Sequence, residues 1–336
     1  MKALVVGCGS IGFRHIDHLH RLGLSRVEAV DSNPAVRDRV KRHYGLTVRA
    51  DVRAALARRP DIVLVCTPAS SHVPLALQAL EAGAHVFIEK PLSTSLDGIQ
   101  TLERRVRSDG RVVQVGYNLR YHPAMRAAKR LVESGRLGTI LTAHAEFGLY
   151  LKKWWPGRDY RTSYMADSGE SGGLLLDVSH EIDLLMWFLG GVKDVTAFGA
   201  KLSRLKMTGM DVIRVVMRMT SGALASLHMD CLQPTYVRGY TLVGEDTALR
   251  WDCPRGRADR SLGRLLVCGR KGKAMTRVPV RGRAQETYLE ELRDFLASIR
   301  AGTTPAIDVG QGAAVLRVAM AIQRAIQSGR TVAVTS

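Results

Sequence analysis

Ala3-Leu4-Val5-Val6-Gly7-Cys8-Gly9-Ser10-Ile11-Gly12 opens the chain, an apolar run that leads into a glycine turn and then into a helical pattern. Strand, turn and helix in that order set the part played by each glycine. Gly7 allows the tight turn, Gly9 lets a pyrophosphate approach the backbone, and Gly12 lets helix and strand pack closely. The phosphates then sit on the helix N-terminus around Ser10 and Ile11, where N–H groups without helical partners and the helix dipole favour anions. A second apolar run, Val27 to Val30, ends in Asp31. A carboxylate at that distance accepts both ribose hydroxyls of NAD and repels a 2′-phosphate, so the expected cofactor is NAD rather than NADP. Arg37 is the one nearby cation that speaks for NADP.

Downstream of Asp31 the pattern alternates helix and strand. Asn33-Pro34 starts a helix to about Tyr44, a short helix covers Asp51 to Arg58, and Ile62 to Val65 is an apolar strand. A helix from His72 to Glu81, a strand from His85 to Ile88, a helix from Leu96 to Ser108 and a strand from Val112 to Val115 follow. Strands separated by such helices imply a parallel sheet covered on both faces, with ligands bound beyond the carboxyl ends of the strands. Thr67, Lys90 and Tyr117 all follow strand ends and are expected to line one crevice.

From Thr139 the character changes. Val-, Thr- and Leu-rich runs recur with turn signals at 139–150, 195–202, 212–219, 223–230, 236–243 and 248–251, which implies a large, mostly antiparallel sheet. One helix is expected from Leu174 to Leu189, and two more from Ala284 to Arg300 and Gly310 to Ser328. The fold class is therefore α/β plus α+β: residues 1–120 form a doubly wound dinucleotide-binding domain, and residues 121–336 an open-sheet domain for substrate and assembly. A C-terminal segment is free to pack back on the first domain.

Composition narrows the class. The chain has 336 residues, 46% hydrophobic and 24% charged, as in ordinary globular proteins, and no apolar run approaches the length of a membrane span. The first apolar run ends at the glycine turn without a cleavage pattern, so a cytoplasmic protein is expected. Five cysteines with no C-x-x-C pair indicate neither a disulfide framework nor a metal site. The charge is +18, and its densest stretch, Arg255 to Arg283, contains no Phe, Tyr or Trp. Without stacking surfaces, nucleic acid is not the expected partner. The stretch reads as a solvated strand-and-loop surface, with an anion-attracting rim as the alternative.

Several residues could carry chemistry. Lys90, between Glu89 and Pro91 at a strand end, can donate to a substrate oxygen, or else pair with Glu89 as a surface lysine. Asp177 and His180, three apart on the expected helix and next to Glu181, share one face; this is either a base with its carboxylate or a solvent-facing stripe. The loop from Tyr150 to Tyr164 offers Trp154, Trp155, Arg161 and Tyr164, suited to a sugar ring or to packing on its own domain.

In order and spacing, Gly7 to Gly12, Cys66-Thr67-Pro68 with His72, Glu89-Lys90-Pro91, Gly116-Tyr117-Asn118-Leu119-Arg120, Gly172-Gly173 with Asp177 and His180, and Tyr288 to Leu292 resemble the Gfo/Idh/MocA oxidoreductases, the glucose-fructose oxidoreductase and inositol dehydrogenase group. The resemblance implies a Rossmann domain and hydride transfer between a nicotinamide and a sugar or cyclitol. It also implies an open sheet that assembles a homodimer or homotetramer. It implies Lys90, His180 and Asp177 as catalytic, and extends the cofactor contacts to Thr67, Pro68, His72, Glu89 and Lys90. Lys90, Tyr117, Asn118, Arg120, Trp154, Arg161, Tyr164, Asp177 and His180 become candidate substrate contacts. Many members place three residues between the Asp and the His, where this chain has Val178-Ser179. Asp177 is thus left open between orienting His180 and holding a hydroxyl. The expected reaction is oxidation of a secondary sugar hydroxyl, such as C3 of a nucleotide- or phospho-sugar, or its reversal. The alternatives are a cyclitol or dihydrodiol dehydrogenase and a non-catalytic NAD-sensing regulator.

Overall fold

The computed structural model describes residues 1–335 except 155–156, 168, 170–171, 254–257 and 270–274. The chain divides into two compact units, Met1–Tyr117 with Tyr288–Leu316, and Asn118–Thr287 with Arg317–Ser336.

The first unit is built from β1 (Lys2–Val6), α1 (Ser10–Arg21), β2 (Arg26–Val30), α2 (Pro34–Tyr44), β3 (Val48–Arg49), α3 (Val52–Leu56), β4 (Ile62–Val65), α4 (His72–Glu81), β5 (His85–Glu89), α5 (Ile99–Asp109) and β6 (Val113–Gly116). Its six strands run parallel in the order β3-β2-β1-β4-β5-β6. The order reverses between β1 and β4, and there a doubly wound sheet opens its ligand crevice. Every residue of β4 is buried, as expected of a strand covered on both faces. Phe295 and Leu292 pack into the same core as Ile16, Leu19, Val27 and Phe87. The Val115 N–H donates to the Ile307 carbonyl at 2.9 Å, which occupies a backbone donor on the outermost strand β6.

The second unit contains α6 (Pro123–Glu133), β7 (Ile140–Tyr150), α7 (Leu151–Trp154), α8 (Gly173–Asp177), α9 (His180–Leu189), β8 (Val192–Ala200), β9 (Val212–Met219), β10 (Leu224–Asp230), β11 (Leu232–Gly244), β12 (Thr247–Asp252), β13 (Arg264–Gly269) and β14 (Thr276–Arg277). The helices α10 (Thr287–Ala301) and α11 (Val309–Ser328) and the strand β15 (Val332–Ala333) complete the chain. Nine strands form one sheet, β14-β13-β12-β11-β7-β10-β9-β8-β15, antiparallel except where β10 runs parallel to β7. Along β9 the residues Ile213, Val215, Met217 and Met219 are buried, while Arg214, Val216 and Arg218 are exposed. This alternation gives the sheet one packed face and one open face.

One expectation is corrected here. Residues 174–189 form two helices, not one, because the hydrogen-bond ladder tightens at Val178-Ser179. Ser179 N–H donates to Leu176 O at 3.3 Å and Glu181 N–H to Val178 O at 3.2 Å, both three residues back, so the helical phase shifts at the joint. Strands β13 and β14 emerge from the basic stretch; its Arg255, Arg257, Arg270, Lys271 and Lys273 lie outside the described residues. No helix of the described residues is long and apolar enough to cross a membrane.

Both units bury neutral histidines. In α1, burial pushes His18 down to about 3. At the start of α6, burial pushes His122 down to about 4, and its Nδ1 accepts the Ala124 N–H at 3.3 Å. The unfolded chain therefore takes up protons first as pH falls, so stability is full above about pH 6.5 and declines toward the folded values. We expect a loss on the order of a few kcal/mol between about pH 6.5 and pH 4. Thermal unfolding followed across that range should show a falling midpoint, and a flat profile would contradict it.

Candidate active site

The glycine loop has two crowded positions and one open one. Gly7 has φ +86°, and a β-carbon on it would stand 2.7 Å from the Cys66 carbonyl oxygen; on Gly12 a β-carbon would stand 1.9 Å from the Gly7 oxygen. On Gly9 it would meet no described atom within 4 Å. The fold itself therefore demands Gly7 and Gly12, whereas Gly9 fits the close approach of a dinucleotide. Gly9 and Ser10 are exposed and Ile11 is half-buried. The helix α1 has neither a side-chain cap nor an acidic residue in its first turn, which leaves its N-terminus suited to phosphates.

Asp31 ends β2 with its carboxylate fixed by two main-chain donors, Cys8 N–H to Oδ2 and Asn33 N–H to Oδ1, both 2.8 Å. Arg37 is docked on main-chain oxygens, donating to Asp31 O at 3.0 Å and Ser32 O at 2.8 Å. Arg39 donates to Cys8 O at 2.8 Å and covers the Phe13 ring at 4.9 Å. These contacts hold the Asp31 carboxylate at the tip of its strand and tie both arginines back to the loop, an arrangement that fits NAD.

Beyond β4 and β5 the turns are held by His72. Its Nδ1 lies 2.8 Å from Pro91 O and its Nε2 2.8 Å from Thr67 O, with the side chain buried. Burial pushes this imidazole down from its ordinary value, while the two carbonyls and Glu89 pull it back. The structure thus gives His72 the work of bracing Thr67-Pro68 and Pro91. Glu89 is buried; its Oε1 lies 2.6 Å from His15 Nε2, and its Oε2 accepts the Lys90 N–H at 3.2 Å. Lys90 is half-buried and precedes a cis peptide bond to Pro91. Tyr117 is buried with 1% exposure.

In the second unit, Asn118 is buried and its Nδ2 donates to Thr287 Oγ1 at 2.9 Å. Arg120 forms a two-pronged pair with the buried Asp183, Nη2 to Oδ1 at 2.6 Å and Nε to Oδ2 at 3.0 Å. Asp177 ends α8 half-buried, and His180 opens α9 with 8% exposure. Glu181 is wholly buried: its Oε1 accepts Arg238 Nε–H at 2.6 Å and the Tyr240 hydroxyl at 3.0 Å. Burial pushes the Glu181 carboxyl up and Arg238 pulls it back. A solvent-facing stripe is therefore excluded, and so is one helical face carrying both Asp177 and His180, since they belong to different helices.

In the 150–164 loop, Trp154 stacks on Tyr236 at 5.5 Å and 13°, and Tyr236 meets the Phe147 ring at 5.9 Å. This is the packing alternative for that tryptophan, while Trp155 lies outside the described residues. Arg161 pairs with Asp159 at 2.8 Å, and Tyr164 is 50% exposed. The Tyr160 hydroxyl accepts the Lys206 N–H at 3.0 Å with Lys152 Nζ 6.0 Å from its ring. Among the described residues no cluster of three His, Cys, Asp or Glu could hold a metal ion.

Sequence reasoning passed over His15, Asp183, Arg238 and Tyr240. Asp183 and Arg238 did carry a signal, a charge inside an otherwise apolar run, but only the fold supplies their partners.

Residues 1–117 match the model of an oxidoreductase family with an NAD-binding Rossmann fold, and residues 125–250 match the GFO/IDH/MocA C-terminal domain. The chain is 30% identical over 230 residues to the uncharacterized oxidoreductase YrbE of Bacillus subtilis (strain 168), covering 66% of this chain and 64% of that one. It is 25% identical over 342 residues to scyllo-inositol 2-dehydrogenase (NAD(+)) of the same organism, covering 99% and 96%. Levoglucosan dehydrogenase in complex with NADH superposes with a TM-score of 0.87 at 20% identity over 100% of this chain and 99% of that one, a likeness of fold.

Replacing Arg120 by Ala leaves the Asp183 carboxylate buried without its guanidinium, and should destabilise the protein by about 3–5 kcal/mol. Urea unfolding of R120A checks it. The double variant R120M/D183L should recover most of the loss, which separates a structural pair from a substrate contact.

Proposed function

The chain belongs to the Gfo/Idh/MocA oxidoreductase family, and from that premise we propose that it oxidises a secondary hydroxyl of a sugar with NAD, or reduces the corresponding ketosugar. One observation carries the reading. Asp31 at the end of β2 and Lys90 at the end of β5 leave the same carboxyl edge of one parallel sheet, with the uncapped start of α1 at that edge. That is where a cofactor and the group that reacts beside it belong.

In the proposed reaction His180 takes the hydroxyl proton as the carbon gives up its hydride. Lys90 donates to the oxygen and stabilises the alkoxide as it develops. Bound NAD supplies the hydride acceptor. Asp177 either orients His180 or holds a neighbouring hydroxyl. In the reductive direction His180 returns the proton and Lys90 polarises the carbonyl.

The positive balance of the chain, +18, and Lys152, whose Nζ lies 6.0 Å from the Tyr160 ring, support an anionic sugar, phosphorylated or nucleotide-linked. The likeness to scyllo-inositol 2-dehydrogenase over nearly the whole chain supports a cyclitol as the second reading. Four of the five cysteines are buried, and among the described residues none forms a disulfide, as suits a reducing cytoplasm. We also propose a homo-oligomer formed through the open sheet face. Phe198 on β8 is 75% exposed, Val216 on β9 53% and Leu224 on β10 50%. Strand register places all three on that face, since Phe198 pairs with Arg214 and Leu224 with Arg218.

NADH formation with neutral, phosphorylated and nucleotide sugars and with cyclitols tests the substrate reading, and turnover of neutral cyclitols alone would favour the second one. His180→Ala should lower kcat by about two to four orders of magnitude, and an unchanged kcat would remove His180 from the role of base. Sedimentation should show a multimer that Phe198→Arg splits; a wild-type monomer would end the assembly proposal.

A further inference from the structure

The side chain of His15 is wholly buried one turn past the glycine loop, and it meets a residue 74 positions away. Its Nε2 lies 2.6 Å from Glu89 Oε1, while the other carboxylate oxygen of Glu89 holds the Lys90 N–H at 3.2 Å. On the far side of Lys90, His72 holds the Pro91 oxygen at 2.8 Å. The main chain around Lys90 is therefore gripped from two directions, once from α1 through Glu89 and once from α4.

The His15 ring sits edge-on to Phe87 at 5.2 Å and Tyr288 at 6.0 Å, and its Nδ1 has no hydrogen-bond partner among the described residues. Nε2 is thus the ring nitrogen placed to donate, and it donates to the Glu89 carboxylate. A buried polar pair of this kind is a poor device for stability, since apolar residues of the same volume serve as well or better. What it does accomplish is orientation. It fixes the carboxylate that fixes Lys90, and it does so from the helix whose N-terminus faces the cofactor phosphates.

We propose that His15 is a positioning residue for Lys90, acting through Glu89 and tying the geometry of the reacting end to the cofactor-binding helix. The proposal rests on the reading of Lys90 as the group that stabilises the alkoxide. The titratable and charged neighbours of the pair include His18, Cys66, His72, Lys90 and Tyr288, whose ring is covered by the Arg14 guanidinium at 4.5 Å. Burial keeps His18 neutral, raises the Cys66 thiol and lowers His72.

The test uses the full chain with His15→Phe, which keeps a ring among Phe87 and Tyr288 but removes the donor, and His15→Gln, whose amide can donate to Glu89. Three quantities are measured: NAD affinity by calorimetry, kcat and KM on the substrate that the wild type turns over best, and the pH dependence of Lys90 modification by an amine reagent, mapped by mass spectrometry. For His15→Phe we expect NAD affinity within about threefold of wild type and kcat down by about 10- to 100-fold, the scale of a misplaced reacting group. The midpoint of Lys90 modification should be displaced from that of the wild type, because the carboxylate that holds the Lys90 N–H loses its own donor. His15→Gln should restore much of both. A His15→Phe protein with wild-type kcat and an unchanged midpoint overturns the proposal, as does a loss confined to NAD affinity. If His15→Phe fails to fold, Glu89→Gln takes its place with the same kcat loss expected, and wild-type turnover there overturns the idea. If the wild type oxidises no sugar or cyclitol, the proposed function fails. The modification midpoint then decides His15 alone: displaced in His15→Phe and restored in His15→Gln supports it, unchanged overturns it.

Discussion

A β-carbon at position 12 would stand 1.9 Å from the Gly7 oxygen, and the absence of one lets α1 lie close against the turn that follows β1. Much else in the first unit depends on that approach. It brings the Cys8 N–H to the Asp31 carboxylate and the Cys8 oxygen to Arg39, so the loop and the tip of β2 are fixed to each other. It also sets α1 at the depth where His15 reaches Glu89, 2.6 Å away and two strands across the sheet. A larger residue at position 12 would push the helix out and disturb the phosphate end and the lysine end together.

The second unit is shaped by buried charge. Glu181 and Asp183 lie within the first turn of α9 and both are fully buried, which costs several kcal/mol per ion unless each meets a cation. Arg238 on β11 and the Arg120 side chain supply those cations, and Tyr240 adds a hydroxyl donor. The break between α8 and α9 follows the same logic. A continuous helix would keep Asp177 in phase with His180 and Glu181; the tightened turn at Val178-Ser179 changes the phase, so that Asp177 ends one helix and His180 begins the next with its carboxylate neighbours turned inward. The charge pairs anchor the start of α9 to β11 and to the Arg120 side chain.

The parts of the fold that could be read in advance are those where one local rule decides. Ile62 to Val65 and His72 to Glu81 fall where their apolar run and helical period put them, and β9 matches its alternating pattern to the residue. The glycine turn and Asp31 were legible for the same reason, since turn geometry and strand length are local. The split of 174–189 was not, because no Gly or Pro interrupts Leu174 to Leu189, and the buried partners of Glu181 and Asp183 lie far off in the chain. Strand β15 escaped because two residues carry no period; it exists only because β8 offers an open edge.

By itself, the sequence determined that a strand, a glycine turn, a helix and an acid would make a dinucleotide site, because those requirements act over a few neighbouring residues. Only the tertiary structure decided which polar side chains act outward and which brace the interior. His72 proved to be a brace between two turns, Arg120 the partner of Asp183, and Glu89 a link between His15 and the Lys90 backbone. Burial and pairing set the role of a charged or polar group, and both are properties of residues brought together from distant parts of the chain.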